Sequence, residues 1–150
     1  MMVCLANKFG DKCAKATADK LGLLYLNVDD YIEYALGDMG EMLFKCGREY
    51  LEGQINLHTN KAIDFENTLF YCGYKTFMKN KEKFKGFNKV YLALTLKQLK
   101  TLAEKNYLIT KITFPDRHKI LMKYANKVEC SELNPERFAE KAILEAKNEN

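Results

Sequence analysis

Residues 3–13 read V-C-L-A-N-K-F-G-D-K-C, and this stretch decides how the whole chain is interpreted. Its first three residues are apolar and predict a short strand. Asp11 stands where it can cap a helix, and that helix is expected to stop at Gly22. The stretch therefore predicts a strand, a loop and a helix in that order. If the sheet is parallel, the loop formed by residues 6–10 lies at its carboxyl edge, where α/β proteins bind ligands.

The rest of the chain continues the alternation of strands and helices. Residues 23–28 are almost wholly apolar, as expected for a parallel strand covered on both faces, and Asp29 can cap the next helix. A break near Gly47 separates two further helices. Such alternation implies a three-layer α/β fold with right-handed crossovers and a parallel sheet of about five strands. The remaining strands are predicted at 68–71, 90–94 and 127–130, and the remaining helices after 74, at 96–102, around 120–124 and from 135.

Length and composition favour one domain. The 150 residues are 47% hydrophobic, so residues 1–146 are expected to form one domain, followed by a charged tail at 147–150. No apolar run approaches the roughly 20 residues that cross a bilayer, and the first residues lack a basic leader, so a cytoplasmic protein without membrane contact is expected. The five cysteines are odd in number and include no C-x-x-C pair, which argues against disulfides and a zinc site.

One lysine-rich stretch carries most of the excess charge, which is a modest +4. Two interpretations are open. The stretch could be a basic and aromatic surface that stacks nucleic-acid bases, or an amphipathic helix that buries Phe77 and Phe84 and leaves its lysines in water. The modest charge and the heptad spacing of the phenylalanines favour the helix, so nucleic acid is not the expected partner. The lysines are Lys75, Lys79, Lys81, Lys83, Lys85 and Lys89.

Several motifs resemble, in the same order, those of the shikimate kinase family. The first loop compares with the phosphate-binding pattern G-x-x-x-x-G-K-[ST], of which Lys12 remains. Residues 27–33, N-V-D-D-Y-I-E, resemble the family's D-x-D-x-x-I-E segment, and residues 44–49 resemble its F-x-x-x-G-E turn. Gly73 stands at the family's glycine triplet, and Arg117 stands at the arginine before its A-D pair. The resemblance implies the P-loop kinase fold.

The resemblance also implies roles for single residues if the chain is an active kinase. ATP and Mg²⁺ would bind at the first loop. Asp29 would accept the proton of the substrate hydroxyl, and Gly73 would contact the substrate. Arg117 would hold a substrate carboxylate through a bidentate pair. The phosphate-binding positions are Gly10, Lys12 and Cys13.

The departures from the family's pattern point away from phosphoryl transfer. Ala6 and Asp11 replace the two glycines, and Asp11 would add a carboxylate beside the phosphates, which is repulsive. Asn27 replaces the acidic residue associated with the metal, and Glu52 replaces an arginine. Only residues 109–116 separate N-Y-L-I, where the family has R-P-L-L, from the arginine that follows, which leaves no room for a lid.

The alignment of the first loop adds a further difficulty. Keeping Lys12 in register requires the loss of two residues inside the first helix. An alignment without a gap in that helix shortens the loop instead and puts Gly10 at the lysine position. Either alignment damages a phosphate cradle, which needs converging backbone N–H groups.

Each candidate residue also has an interpretation without catalysis. No metal site is expected, because His58 and His118 have no cysteine or carboxylate at ligand spacing. The other interpretations are a helix N-cap for Asp29, a solvated charge for Lys12, a backbone turn for Gly73, an ion pair with Asp116 or Glu129 for Arg117, and a buried, inert thiol for Cys13.

Together these observations favour a shikimate-kinase-like pseudoenzyme with a degraded phosphate loop and no lid. It is expected to bind a protein partner or a small anionic ligand and to need no cofactor. The alternative is an ATP-dependent phosphotransferase acting on an alcohol, with Mg²⁺ and a remodelled loop. A third hypothesis is a nucleic-acid-contacting module that uses the lysine-rich stretch.

Overall fold

The computed structural model describes residues 1–102 and 107–147. Lys147 ends the last helix, and residues 148–150 of the predicted tail lie outside the described residues. The elements in chain order are β1 (Met2–Cys4), α1 (Asn7–Leu21), β2 (Leu24–Asn27), α2 (Val28–Leu36), α3 (Met39–Cys46), α4 (Arg48–Ile63), β3 (Thr68–Gly73), α5 (Tyr74–Asn80), β4 (Val90–Ala93), α6 (Leu96–Leu102), α7 (Tyr107–Tyr124), β5 (Asn126–Glu129) and α8 (Pro135–Lys147).

The five strands form one parallel sheet in the order β2-β3-β1-β4-β5. The strand β1 lies at the centre, where Val3 pairs with Cys72 of β3 on one side and with Tyr91 of β4 on the other. Helices cover both faces, as parallel crossovers require. The predicted three-layer fold with a five-stranded parallel sheet is confirmed.

Two apolar cores lie on the two faces of the sheet. On one face Cys4 and Tyr71 pack against α1 and α8, whose Phe9 and Phe138 rings meet edge to face 5.4 Å apart. The other core includes Phe70, Tyr91 and Phe77 of β3, β4 and α5, together with Leu121 of α7. Alternate residues of each buried strand thus serve opposite cores, which explains why the strands are apolar throughout.

The burial of β2 is lower than expected for a strand covered on both faces. It lies at the edge of the sheet and Leu24 at its start is 63% exposed, although Tyr25 packs against one core and Leu26 against the other, so both faces are covered only in part. An apolar run predicts a strand but does not show where that strand lies in the sheet, because the strand order depends on long-range pairing.

Glycines end two helices as predicted, but the cap of α2 differs. Gly22 and Gly47 have positive φ values of 65° and 82°, which end α1 and separate α3 from α4. Asn27, and not Asp29, is the N-cap of α2, and its Oδ1 accepts from the N–H groups of Asp29 at 3.0 Å and Asp30 at 3.3 Å. The prediction that Asp29 caps this helix was wrong, because the helix begins at Val28 with Asn27 as its cap, and Asp29 lies inside its first turn.

The lysine-rich stretch is helical only in its first half. The helix α5 ends at Asn80, and turns follow. Phe77 and Phe84 are fully buried and stack with ring centroids 6.2 Å apart, which confirms the burial that the helical interpretation predicted. The helix predicted around residues 120–124 is the last part of α7, which includes Pro115.

Candidate functional site

The connection between β1 and α1 is the decisive feature of the carboxyl edge. β1 ends at Cys4 and α1 begins at Asn7, so two residues join them. The N-cap is Ala6, which has no side-chain cap, and the prediction that the helix starts at Asp11 was wrong. Phe9 explains the early start, because its ring is 6% exposed and packs against Phe138, which holds the first turn of α1 in the core. Tertiary packing thus outweighs the capping signal.

Gly10 lies inside α1 and touches β1 and β3. Its N–H donates to the carbonyl of Ala6 at 2.8 Å, as in any helix. A Cβ at this position would lie 2.5 Å from the Cβ of Cys4 and 2.5 Å from the hydroxyl oxygen of Tyr71. That hydroxyl donates to the carbonyl of Asn7 at 3.1 Å, which ties β3 to the first turn of α1. The glycine is therefore explained by close packing of the helix on the sheet.

The side chains of the next two candidates, Lys12 and Cys13, lie in different surroundings. Lys12 is exposed in the second turn of α1. Cys13 is fully buried, and burial raises the pKa of its thiol, so it behaves as the inert thiol that the sequence suggested. The two side chains do not converge on one point beyond β1.

Asp11 joins a small polar cluster at the end of β2. Its Oδ1 accepts from the hydroxyl of Tyr25 and from Nδ2 of Asn27, the latter at 2.7 Å. Burial, together with the bond to Asp11, raises the pKa of Tyr25, so the hydroxyl stays protonated and donates. The carboxylate that replaces the second glycine of the phosphate pattern is thus held by β2. It adds negative charge on the side of α1 where phosphate would have to bind.

Asp29 fastens α2 to β3 and α5. One carboxylate oxygen accepts from the N–H of Gly73 at 2.7 Å, and the other accepts from the hydroxyl of Thr76. A Cβ on Gly73 would lie 2.8 Å from Oδ1 of Asn7 and 3.3 Å from Oδ2 of Asp29, so a larger residue here would displace the ends of these two side chains. The structure therefore brings Asp29 and Gly73 together, as expected for neighbouring strand ends. They contact each other directly through this hydrogen bond, whereas the resemblance implied that each contacts a substrate.

Arg117 lies near the same edge but not on Asp29. Its guanidinium lies over the ring of Tyr74, 5.0 Å from the centroid, and Tyr74 directly follows Gly73 in the chain. Neither Asp116 nor Glu129 forms an ion pair with Arg117. Glu129 instead binds Lys127 at 3.0 Å. The next residue, His118, stacks on Phe114 and lies 3.0 Å through Nδ1 from the hydroxyl of Tyr91, which is a packing role.

Solved structures of shikimate kinases match this architecture over almost their whole length. The shikimate kinase from Aquifex aeolicus is 17% identical, with a TM-score of 0.71, and the match covers 99% of this chain and 98% of that one. This chain has the shikimate kinase fold. The shikimate kinase from Bacteroides thetaiotaomicron is 18% identical over 98% of this chain and 94% of its own, with a TM-score of 0.71. The one from Acinetobacter baumannii, in complex with shikimate, is 17% identical over 99% and 93%, also at 0.71.

At 17–18% identity the likeness is one of fold. No protein-family model matches the sequence, and no curated protein does either. Among the described residues no helix is long and apolar enough to cross a membrane. No cluster of His, Cys, Asp or Glu within residues 1–102 and 107–147 is suited to a metal ion.

Two departures from the shikimate kinase pattern have a definite place in the fold. Glu52 lies on the exposed surface of α4, where its Oε1 accepts from Nε of Arg48 at 2.9 Å, and this partner lowers the pKa of Glu52. The segment expected to be too short for a lid is continuous helix from 107 to 124. Asn106, the first residue of the N-Y-L-I comparison, lies outside the described residues.

A cavity of about 570 Å³ opens at the carboxyl ends of β4 and β5. This volume suits a small molecule. The side chain of Gln98 spans the cavity wall, with Nε2 donating to the carbonyl of Cys130 at 2.7 Å and Oε1 accepting from the N–H of Thr95 at 2.9 Å. The lining includes Thr95, Gln98, Thr101, Cys130, Ser131 and Leu133.

The side chains that bind the polar groups of the carboxyl edge were not predicted from the sequence. Tyr71, Tyr25 and Thr76 were not candidates, although they hold Asn7, Asp11 and Asp29. A polar residue in an otherwise apolar buried strand is a signal that could have marked Tyr71. The signal for Thr76 is weaker, because a threonine in the first turn of a helix has many other uses.

Proposed function

We propose that this chain is a shikimate-kinase-like pseudoenzyme that binds a ligand or a partner and does not transfer phosphate. The observation that carries the proposal is the start of α1 at Asn7, two residues after β1. A phosphate loop needs several backbone N–H groups that are free to converge on oxygen atoms. Here the N–H of Gly10 is used inside the helix, and Tyr71 packs where the loop would have to open.

The polar groups nearby support the same conclusion. The carboxylate of Asp11, held by Tyr25 and Asn27, adds negative charge beside the first turns of α1, and this charge would repel a phosphate bound there. Both oxygens of Asp29 are used by Gly73 and Thr76 in fastening α2 to the sheet. A carboxylate in this setting favours a structural role over that of a general base. The cavity beside Gln98 remains available for a small ligand.

Thermal stability in the presence of Mg-ATP tests the proposal, because a ligand that binds only the folded chain raises Tm. We expect no shift with millimolar Mg-ATP and no ATP turnover with hydroxy acids as acceptors. A shift that Lys12→Ala abolishes would show that the first loop holds ATP, and turnover that Asp29→Asn abolishes while ATP still binds would establish the kinase alternative. In that case Lys12 would clamp phosphate, Asp29 would act as the base and Arg117 would hold the acceptor.

A further inference from the structure

Two helices on one face of the sheet form paired contacts between cations and rings. Arg117 of α7 lies 5.0 Å from the ring centroid of Tyr74 in α5. Lys81, directly after α5, lies 5.5 Å from the ring of Tyr124 in α7, and Lys123 lies 5.6 Å from the same ring. In both segments the residues of these pairs are seven positions apart, which is two helical turns. The helices therefore run side by side with their cations along one surface.

A fourth cation extends this surface to the amino edge of the sheet. Lys89 precedes β4, and its Nζ donates to the carbonyl of Phe87 at 2.7 Å. It lines a shallow depression of about 280 Å³ together with Lys123 and Tyr124. We call Lys81, Lys89, Arg117 and Lys123 the basic face. It runs away from the carboxyl edge, where Asp29 lies, and ends at the opposite edge of the sheet.

The charge of the basic face is not neutralised by neighbouring acids. Within residues 1–102 and 107–147, none of its four cations lies within 4.0 Å of a carboxylate oxygen. Residues 75–89 and 107–124 together contain ten basic and two acidic residues, although the whole chain has an excess of only four. The positive charge is therefore concentrated on one side of the molecule, which the net charge alone does not reveal.

The rings of this region are not available for stacking on bases. Phe77 and Phe84 are fully buried, and Tyr74 and Tyr124 are covered by the cations of the basic face. Three of the four cations are lysines, which bind phosphate as point charges. These features exclude the base-stacking interpretation that the sequence raised, but they suit contact with a phosphate backbone.

The length of the basic face fits successive phosphates. Arg117 and Lys123 are six residues apart on α7, which is about 9 Å along the helix axis. If α7 lies along the duplex axis, where one strand carries a phosphate about every 3.4 Å, this distance spans about three phosphates of a strand. Lys81 and Lys89 lie beside the same end of α7.

We propose that the basic face binds the phosphate backbone of double-stranded nucleic acid without sequence preference. The proposal can fail or hold independently of the pseudoenzyme proposal, because Arg117 is the one basic-face residue near the carboxyl edge, and Lys81, Lys89 and Lys123 lie away from it. About four phosphate contacts predict that the logarithm of the affinity falls with the logarithm of salt concentration with a slope of about −3.6. Affinity should thus fall about 100-fold between about 50 mM and 200 mM salt.

Fluorescence anisotropy of a labelled DNA duplex tests the proposal with the full chain. The variant Lys81→Gln/Lys123→Gln keeps the side-chain stems over Tyr124 but removes two charges. We expect its salt slope to be smaller by about 1.8, because two counterions are no longer released. The matched control is Lys15→Gln/Lys147→Gln, which removes the same charge from exposed positions of α1 and α8. Its slope should equal that of the parent chain.

Three outcomes would overturn the proposal. The first is no binding at low salt, and the second is an equal loss in the two double variants, which would indicate a net-charge effect only. The third is displacement of the duplex by poly-glutamate at equal charge concentration, which would assign the surface to acidic polypeptides. A thermal melt of each variant checks that it is folded, so loss of binding is not mistaken for loss of structure.

Discussion

The substitution Gly10→Ala tests how closely α1 packs against the sheet. The added Cβ would lie 2.5 Å from the Cβ of Cys4, 2.5 Å from the hydroxyl oxygen of Tyr71 and 2.8 Å from its Cε2. Carbon atoms attract each other best at about 3.5–4.0 Å, so the helix has to move away from β1 by about 1 Å. Cys4 lies in the central strand, and its Cβ is fixed to the backbone, so it cannot yield by a rotamer change.

The expected loss of stability follows from two opposing terms. Overpacking of a core costs about 1–3 kcal/mol, and a clash with a fixed Cβ lies at the upper end of that range. Alanine in place of glycine inside a helix returns about 1 kcal/mol. We therefore expect the free energy of unfolding to fall by about 2 kcal/mol, which for a chain of this size lowers Tm by about 4–8 °C.

The control for this prediction is Gly53→Ala. Gly53 lies inside α4 and a Cβ there would meet no atom within 4 Å, so only the helix propensity changes. Its free energy of unfolding should rise by about 1 kcal/mol. Urea titrations of the parent and the two variants give both values. If Gly10→Ala is as stable as the parent while Gly53→Ala is more stable, α1 does not lie against Cys4 and Tyr71 as described.

Three further predictions concern Asp29, Asp30 and the cysteines. Asp29→Ala leaves the buried N–H of Gly73 without its acceptor and should lower the free energy of unfolding by about 2 kcal/mol, measured by urea titration; no change would mean that Asp29 does not fasten α2. Asp30 is exposed, but some desolvation and the nearby carboxylates of Asp11 and Asp29 raise its pKa. Its contribution to stability is therefore complete below its ordinary pKa of about 3.9 and is lost as pH rises through the folded-state pKa, so Asp30→Asn should raise Tm at pH 7 and leave it unchanged below that ordinary value. Cys46 is exposed and the other four cysteines are buried, so an aqueous thiol reagent should modify one thiol of the native chain, and Cys46→Ser should abolish this fast reaction.

The architecture was predictable from the sequence because its signals are local and repeated. Apolar runs at residues 68–71 and 90–94 lie in β3 and β4, and glycines at 22 and 47 mark helix ends with positive φ. Each of these signals depends on a few neighbouring residues. The order of the strands does not, and for that reason the sequence did not indicate that β2, expected to be covered on both faces, lies at the edge of the sheet and is only partly buried.

The site was harder to predict because its contacts join distant parts of the chain. Asp11 looks like a helix cap in sequence, yet Phe9 holds the earlier turn in the core, and Asp11 instead accepts from Tyr25 and Asn27. The bond between the hydroxyl of Tyr71 and the carbonyl of Asn7 spans 64 positions. Only the resemblance to shikimate kinases predicted that Asp29, Gly73 and Arg117 lie at one edge of the sheet. It did not indicate that Asp29 would accept hydrogen bonds from Gly73 and Thr76.

A nuclear magnetic resonance measurement of residues 5–13 with and without Mg-ATP shows whether the connection between β1 and α1 is helical and whether it binds phosphate. We predict helical backbone chemical shifts from Asn7 onward and no change in the amide signals of residues 7–13 at millimolar Mg-ATP. Non-helical shifts between Asn7 and Asp11, together with amide signals that move as Mg-ATP is added, would show a loop that binds phosphate and would refute the proposal that the phosphate loop is lost.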